Sequence, residues 1–185
     1  MKKIIVISGV PGTGKTVVAR IVAKKMNANL IEINKLIGKE IKFTRDRKRK
    51  TRVVDMIDVQ DSVSHHLDSK KLNIIEGHYA HLLNADKVIV LRTSPAVLLK
   101  RLKLRKWPRK KIHENLECEL IDEITQEARA KHNSSRIYEI DTTKKSPYVV
   151  VDTVIDVING KNGKKTHINW TKTYGYVFKN LSKYR

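Results

Sequence analysis

The stretch Gly9-Val10-Pro11-Gly12-Thr13-Gly14-Lys15-Thr16 decides the fold of this 185-residue chain. It fits the pattern G-x-x-x-x-G-K-[ST], in which glycines let successive backbone N–H groups point inward and form an anion nest at the start of a helix. A β-branched run at residues 3–8 predicts a buried strand before it, and residues 17–26 predict a helix after it. The alternative is a glycine-rich turn that holds no ligand. The match at all eight positions and on both flanks favours a nucleotide site.

Each residue of this phosphate-binding loop (P-loop) has an expected role. Gly12, Thr13 and Gly14 belong to the backbone nest that would hold the phosphates of ATP. Lys15 would reach the β- and γ-phosphates, and the Thr16 hydroxyl would bind Mg²⁺. The loop therefore predicts ATP and Mg²⁺ as ligands.

The composition predicts one globular domain, with 40% hydrophobic and 31% charged residues. No apolar run approaches the roughly 20 residues of a membrane span, and the short run before the P-loop reads as the first strand, not a signal peptide. Cys118 is the single cysteine, which excludes a disulfide framework and a cysteine zinc site. These features favour a cytoplasmic protein with no membrane partner.

The net charge of +20 is the unusual global property. Much of the excess lies in residues 42–52, 100–111 and 161–185. Polyanionic substrates and RNA are both plausible causes, and an adaptation to solubility or heat is the alternative.

Short strands alternate with helices along the chain, which predicts an α/β fold: a parallel sheet with helices on both faces and ligands beyond the carboxyl ends of its strands. After the first strand, four more are expected at residues 29–33, 72–76, 87–91 and 136–140. Helices are expected at residues 35–41 (capped by Asn34), 56–67, 95–104, 114–131 and 147–158, with exposed basic loops at 42–50 and 105–111.

Two residues after the third strand carry candidate chemistry. Glu76 ends a buried strand, where a P-loop protein places an acid near Mg²⁺; the alternative is a solvated strand-end acid. His78 could position or activate a nucleophile, water included, or it could be a structural histidine. His65, His66 and His81 show no convincing ligand spacing and are interpreted as surface residues.

The basic segment 101–111 suits a lid that closes over the transferring phosphoryl group. Arg101 and Arg105 are favoured over the lysines because a guanidinium presents a planar fork to phosphate oxygens. A solvated basic helix end is the alternative.

Several segments together resemble the atypical adenylate kinases, the isoenzyme-six type also known as coilin-interacting nuclear ATPase and found in archaea. The resemblance covers residues 1 to about 160, and its segments are the P-loop, Ile75-Glu76-Gly77-His78-Tyr79, Val88-Ile89-Val90-Leu91-Arg92-Thr93, Arg101-Leu102, Arg105-Lys106-Trp107, Glu114-Asn115-Leu116-Glu117-Cys118-Glu119 and Glu139-Ile140-Asp141-Thr142-Thr143.

This resemblance implies a P-loop nucleoside monophosphate kinase fold with five strands in the order 2-3-1-4-5. It implies a kinase domain at residues 1–160, with a monophosphate-binding segment at about 34–54 and a lid at about 105–113, followed by a basic extension at 161–185. The implied activity is Mg²⁺-dependent phosphoryl transfer from ATP to AMP with some ATPase activity. The implied partners are a small-subunit ribosomal protein and ribosomal RNA, whose maturation the family assists.

The resemblance also assigns roles to single residues. Glu76 and His78 stand at the family's acid-x-His, and Arg105 takes the place of its lid arginine. Glu76 is one methylene longer than the usual Asp, so its contact with Mg²⁺ would run through water. No arginine stands where ordinary adenylate kinases hold AMP, and Lys39 is the candidate basic contact instead.

Other functions stay open at this stage. A ribosome-assembly ATPase switch with little kinase activity is the main alternative, and a small-molecule kinase acting on a sugar or on shikimate is another. A guanine-nucleotide switch is disfavoured because no Asn-Lys-x-Asp segment is present.

The basic extension combines cations with aromatic rings, a mixture that binds single-stranded RNA. Its rings are Trp170, Tyr174, Tyr176, Phe178 and Tyr184. The competing hypothesis is that Ile168, Trp170 and Val177 pack onto the kinase body as anchors.

Overall fold

A five-stranded parallel sheet is the centre of the structure, a computed structural model that describes residues 3–46, 51–161 and 167–174. The strands of the chain are β1 (Ile4–Ser8), β2 (Asn29–Glu32), β3 (Thr44–Asp46), β4 (Thr51–Val53), β5 (Asn73–Glu76), β6 (Lys87–Arg92) and β7 (Ile137–Asp141). The large sheet has the order β2-β5-β1-β6-β7, and β3 pairs with β4 as a separate antiparallel hairpin. Counting only the parallel strands, this order is 2-3-1-4-5, so the predicted fold is confirmed.

Seven α-helices join the strands of the described residues. They are α1 (Lys15–Lys25), α2 (Ile33–Leu36), α3 (Met56–His65), α4 (Pro95–Leu104), α5 (Arg109–Leu120), α6 (Glu123–Lys131) and α7 (Pro147–Ile158). Pro95 and Pro147 each occupy the first helical turn, where the missing N–H costs nothing and the fixed φ suits the helix. None of the helices is both long and apolar enough to cross a bilayer.

Alternating residues of the strands build one hydrophobic core on each face of the sheet. Ile5 and Ile7 of β1 point to the side covered by α1 and α7, where Val18, Val22 and Val154 are buried. Val6, between them, points to the opposite side, which is covered by α3, α4, α5 and α6. Because both faces are covered, strands of continuous β-branched character are stable here, as the sequence predicts.

Two local predictions for residues 34–50 are wrong. The helix expected at residues 35–41 with Asn34 as its cap is the short α2, which begins after Glu32 without a side-chain cap. It ends early because Ile37 is extended and Gly38 has a positive φ of 86°. The basic loop expected at 42–50 instead contributes β3 and leads to β4, in the register Thr44↔Val53. Residues 47–50 lie outside the described part of the chain.

The helix expected at 114–131 is in fact two helices. The first, α5, begins directly after Pro108, which occupies its N-cap, so the proline starts this helix instead of delaying it. The second, α6, begins after Asp122, whose left-handed φ of 59° breaks the chain direction. A left-handed aspartate is uncommon and needs local support, which a buried arginine described below provides.

Candidate active site

The P-loop follows β1 and lies close to β6 and α4. This close approach requires glycines, which have no side chain. Gly9 has a φ of 141°, and a Cβ there would stand 2.4 Å from the carbonyl oxygen of Leu91. Gly12 has a φ of 103°, and Gly14, the N-cap of α1, has a φ of 100°. Only glycine adopts such backbone conformations at little cost, so the loop can bring its N–H groups close to an anion.

Side chains hold the loop in this shape. The Thr13 hydroxyl donates to the Val10 carbonyl at 2.9 Å, and the Thr13 carbonyl lies 3.1 Å from the hydroxyl of Thr142. Thr142 follows the last strand, and its hydroxyl also lies 2.9 Å from the Arg92 carbonyl. The loop is therefore tied to the carboxyl ends of β6 and β7.

Lys15 is buried at the first position of α1, with 8% of its surface exposed. Its Nζ donates to the Val10 carbonyl at 3.3 Å. Burial lowers the pKa of Lys15 to about 8, Glu76 opposes this shift and the charge of Arg105 adds to it. A phosphate group in the loop would supply the negative charge that this buried ammonium lacks.

Thr16 and Glu76 form a pair of oxygen donors beside Lys15. The Thr16 hydroxyl donates to Oε1 of Glu76 at 3.2 Å, and parallel pairing places Ile7 beside Glu76 in the register of β1 and β5. Glu76 is 1% exposed; burial raises its pKa, while Lys15 and Thr16 act in the opposite direction. A solvated strand-end acid, the alternative for Glu76, does not fit this burial.

These two donors fit Mg²⁺. The described residues contain no group of three or more His, Cys, Asp or Glu side chains that could hold a metal. Mg²⁺ commonly needs only one or two protein oxygens, because it keeps several waters and takes phosphate oxygens from the nucleotide. Thr16 and Glu76 are the residues that would hold it.

His78 lies against the P-loop with a defined proton arrangement. Its Nδ1 is 3.3 Å from the Gly9 carbonyl, and because a carbonyl only accepts, Nδ1 carries the proton and Nε2 is an acceptor. Burial lowers the pKa of His78 to about 4, with the charge of Lys15 acting in the same direction. At neutral pH the ring is therefore uncharged and can accept a hydrogen bond from water.

Arg101 contacts the loop, and the charge of Arg105 acts on it. The Nη1 of Arg101 donates to the Gly12 carbonyl at 2.9 Å. Arg105, the exposed C-cap residue of α4, is near enough for its charge to lower the pKa of Lys15, and it adds to the effect of burial in lowering that of Arg101. The structure thus gathers the P-loop, Glu76, His78 and these two arginines at one end of the sheet.

Comparison with known proteins agrees with this geometry. A family model described as an AAA domain matches residues 5–122. A curated relative named "Putative adenylate kinase" from Methanocaldococcus jannaschii is 32% identical over 92% of this chain and 94% of its own length. A relative of the same name from Pyrococcus furiosus is 36% identical over 92% of this chain and 93% of its own. The chain belongs to the atypical adenylate kinase family.

Solved structures place this member of the atypical adenylate kinase family among P-loop kinases by fold. A shikimate kinase from Acinetobacter baumannii matches with a TM-score of 0.56 at 16% identity, over 89% of this chain and 97% of that chain. A thymidylate kinase from Candida albicans matches with a TM-score of 0.53 at 14% identity, over 91% and 96%. At this low identity the likeness concerns the fold alone.

Lys39, the candidate monophosphate contact of this family member, lies away from the regular elements. It is exposed and lines a cavity of about 880 Å³ inside the predicted monophosphate-binding segment. The cavity is bounded by residues 38–44, 53–55 and 58.

His81 corrects one prediction from the sequence. It was expected at the surface, but it is 1% exposed and its Nε2 lies 2.8 Å from the carboxylate of Glu127. It is buried because a 3-10 turn, Ala80–Leu82, folds the chain back beneath β1 after β5 ends. His65 and His66 are exposed as expected, and His66 pairs with Glu40 at 2.7 Å.

A buried ion cluster behind the P-loop was missed by the sequence reasoning. Arg92 is 2% exposed, and it donates to Glu119 at 2.8 Å and to Glu139 at 2.9 Å. It also pairs with Asp122, the left-handed residue between α5 and α6. The sequence offered one signal, an arginine that ends an otherwise apolar buried strand. Buried charges are normally paired.

Part of the basic extension packs onto this cluster. The Trp170 indole N–H donates to Oε1 of Glu119 at 2.9 Å, and the Ile168 N–H donates to Glu139 at 3.3 Å. Trp170 also meets Tyr174 edge to face with ring centroids 5.8 Å apart. For these residues the structure favours the anchor hypothesis. Val177, Tyr176, Phe178 and Tyr184 lie outside the described residues.

Replacing Trp170 by Phe is therefore expected to destabilise the protein. The ring stays, but buried Glu119 loses a donor, which costs about 1–3 kcal/mol of unfolding free energy. Urea unfolding measures this loss, and Trp107→Phe, which changes the chain's other tryptophan, is the matched control. Unchanged stability of the Trp170 variant would contradict the anchor hypothesis for this side chain.

Proposed function

We propose that this chain transfers the γ-phosphoryl group of Mg-ATP to AMP and hydrolyses ATP slowly when no acceptor is bound. The observation that carries the proposal is the convergence of buried Lys15, the Thr16–Glu76 pair and Arg101 on one P-loop. Similarity to archaeal relatives named "Putative adenylate kinase" supports AMP as the acceptor.

Phosphoryl transfer asks the protein mainly for positioning and for neutralisation of charge. The backbone nest of the P-loop would hold the phosphates, and Lys15 would reach the β- and γ-oxygens. Arg101 and Arg105 would add positive charge as the lid segment 105–113 closes. Mg²⁺, held through Thr16 and Glu76, would supply further neutralisation when bound with the nucleotide.

The cavity beside Lys39 is the place we propose for the monophosphate. Lys39 and Lys42 on its wall offer cations for a phosphate group. The carboxylates of Asp55 and Asp58 can accept hydrogen bonds from an exocyclic amine such as that of adenine. A phosphate oxygen of AMP would then be the nucleophile.

In the absence of AMP, water would be the nucleophile, and His78 is the residue we propose to orient it. Its ring is uncharged at neutral pH and its Nε2 can accept a proton. A charged lysine or arginine has no lone pair to accept a proton from water, so neither Lys15 nor an arginine can take this role.

A second function deserves a test because of the net charge of +20. In it, ATP hydrolysis switches the conformation of a cytoplasmic assembly factor that binds ribosomal RNA and a protein of the small ribosomal subunit. This function would need the ATPase site but little activity toward AMP.

One experiment separates the two functions. The protein is incubated with Mg-ATP, with and without each nucleoside monophosphate, and the nucleotides are separated. Rapid formation of ADP only when AMP is present supports the kinase. Phosphate release at the same rate with or without AMP contradicts it and favours the switch.

Replacing His78 by Ala is expected to separate hydrolysis from transfer. ATPase activity should fall by about 10²-fold, the usual scale for general acid–base assistance. Phosphorylation of AMP should fall less, because AMP brings an oxygen that the enzyme already positions. Both rates are measured on the same preparation. An equal loss of both rates with a lower melting temperature would make His78 a structural residue.

A further inference from the structure

A chain of hydrogen bonds connects helix α6 to the backbone of His78. Glu127 of α6 lies 2.8 Å from His81 Nε2, and His81 Nδ1 lies 3.0 Å from the Ser8 hydroxyl and 3.1 Å from the His78 carbonyl. The Ser8 hydroxyl itself donates to the His78 carbonyl at 2.8 Å. Two side chains, those of Ser8 and His81, therefore meet at the backbone oxygen of His78.

The inner part of this hydrogen-bond chain is shielded from water. Ser8 is 0% exposed and His81 is 1% exposed, whereas the Glu127 side chain is 47% exposed. Buried polar groups are costly unless they are paired, and each of these is paired. The His81 carbonyl also has a hydrogen-bond partner, His132, whose Nε2 lies 2.8 Å away just beyond α6.

This chain of hydrogen bonds lies beside the proposed nucleotide site. Ser8 is the last residue of β1 and immediately precedes Gly9, whose carbonyl contacts the His78 ring at 3.3 Å. His78 is therefore held twice: its carbonyl contacts Ser8 and His81, and its ring contacts the next residue after Ser8. Rotation of the His78 backbone would break both sets of contacts.

We propose that Ser8 and His81 are positioning residues that fix His78 with its Nδ1 proton on the Gly9 carbonyl and its Nε2 as an acceptor, and that Glu127 acts only by setting the tautomer of His81. The proposal rests on the proposed function of His78. None of the three residues touches the nucleotide; each acts through His78. Glu127 accepts from Nε2 of His81, and burial lowers the pKa of His81, so Nδ1 of the neutral ring is an acceptor. Nδ1 and the His78 carbonyl therefore share the proton of the Ser8 hydroxyl as its two acceptors.

Four variants test this proposal. Ser8→Ala removes the hydroxyl that donates to the His78 carbonyl. His81→Gln can still reach Glu127 but loses the contacts made by Nδ1, whereas His81→Asn places its amide near the position of Nδ1 and keeps them. Ser94→Ala is the matched control, because Ser94 is buried to a similar extent and its hydroxyl has no partner among the described residues.

The first readout is the tautomer of His78, measured by ¹⁵N NMR of the imidazole ring. The wild type, His81→Asn and Ser94→Ala are expected to keep the proton on Nδ1. Ser8→Ala and His81→Gln are expected to show a mixture of tautomers. If both of these retain the Nδ1 proton as in the wild type, the positioning proposal is overturned.

The second readout is the ratio of ATPase activity to AMP phosphorylation. Ser8→Ala and His81→Gln should lower it by about tenfold, the lower end of what the loss of an outer-shell partner costs. His81→Asn and Ser94→Ala should leave it within threefold of the wild type. A merely structural role would lower both activities together and leave the ratio unchanged, which would also contradict the proposal.

The two readouts separate failure of this proposal from failure of the function on which it rests. If the tautomer changes in Ser8→Ala and His81→Gln while hydrolysis does not, the positioning is correct and His78 does not orient water. If the tautomer is unaffected but His78→Ala lowers hydrolysis, His78 has its proposed function and something else positions it.

Discussion

Replacing Lys15 by Ala is expected to lower phosphoryl transfer by about 10³-fold, the upper end of what loss of one charge-stabilising donor costs. Lys15 is the buried cation of the P-loop, and its loss would leave the developing negative charge without this partner. ATP binding should weaken less than turnover, because the backbone N–H groups of the P-loop remain.

Steady-state turnover and calorimetric ATP affinity measure the two effects separately. Lys24→Ala is the matched control, since Lys24 is an exposed lysine on the same helix. Turnover of the Lys15 variant within threefold of the wild type would remove this segment from the active site.

Replacing Arg92 by Met is expected to have the largest effect on stability. Breaking a buried ion pair by removing one partner costs about 3–5 kcal/mol, because the remaining charges stay buried without compensation. Here three carboxylates lose the same guanidinium: those of Glu119, Asp122 and Glu139. The free energy of unfolding is measured with urea at neutral pH.

The control for this prediction is Arg20→Met. Arg20 pairs with Glu32 at 2.7 Å, but its side chain is 56% exposed and Glu32 also pairs with Lys35. Exposed pairs contribute about 0–1 kcal/mol, so the control should be nearly as stable as the wild type. Similar unfolding free energies for both arginine variants would contradict the importance of the Arg92 cluster.

The destabilisation by Arg92→Met should also depend on pH. Burial already raises the pKa of Glu119 to about 7 with Arg92 beside it, and removing the guanidinium raises it further. A carboxyl whose folded pKa is raised destabilises the fold at pH values above its unfolded pKa, and protonation relieves this as pH falls. The stability gap between variant and wild type should therefore be smaller at pH 5 than at pH 8.

The architecture could be predicted because its signals are local and periodic. Buried strands between helices read as β-branched runs, and prolines mark the starts of α4 and α7 at the correct residues. The P-loop pattern then selects one edge of the sheet as the nucleotide site. Parallel topology explains why Glu76, 60 residues from Thr16 in the chain, lies at that same edge.

The wrong local predictions have a common cause: polar residues give ambiguous signals over short distances. Asn34 looks like a helix cap, yet Gly38 takes a positive φ and the chain leaves the helix first. The basic run before β4 lacks an apolar face, yet its backbone pairs with the next segment as a hairpin. In both cases backbone geometry outweighs the preference of one side chain.

The fold could be predicted from the sequence alone, and the P-loop pattern pointed to the residues around it as the candidate site. The pairing of buried polar groups follows only from tertiary packing: Arg92 with Glu119, His81 with Glu127, and Trp170 with Glu119. Residues 27 to 51 positions apart make these contacts. Periodicity reports which face of an element is buried, but a hydrogen bond between elements depends on how those faces pack together.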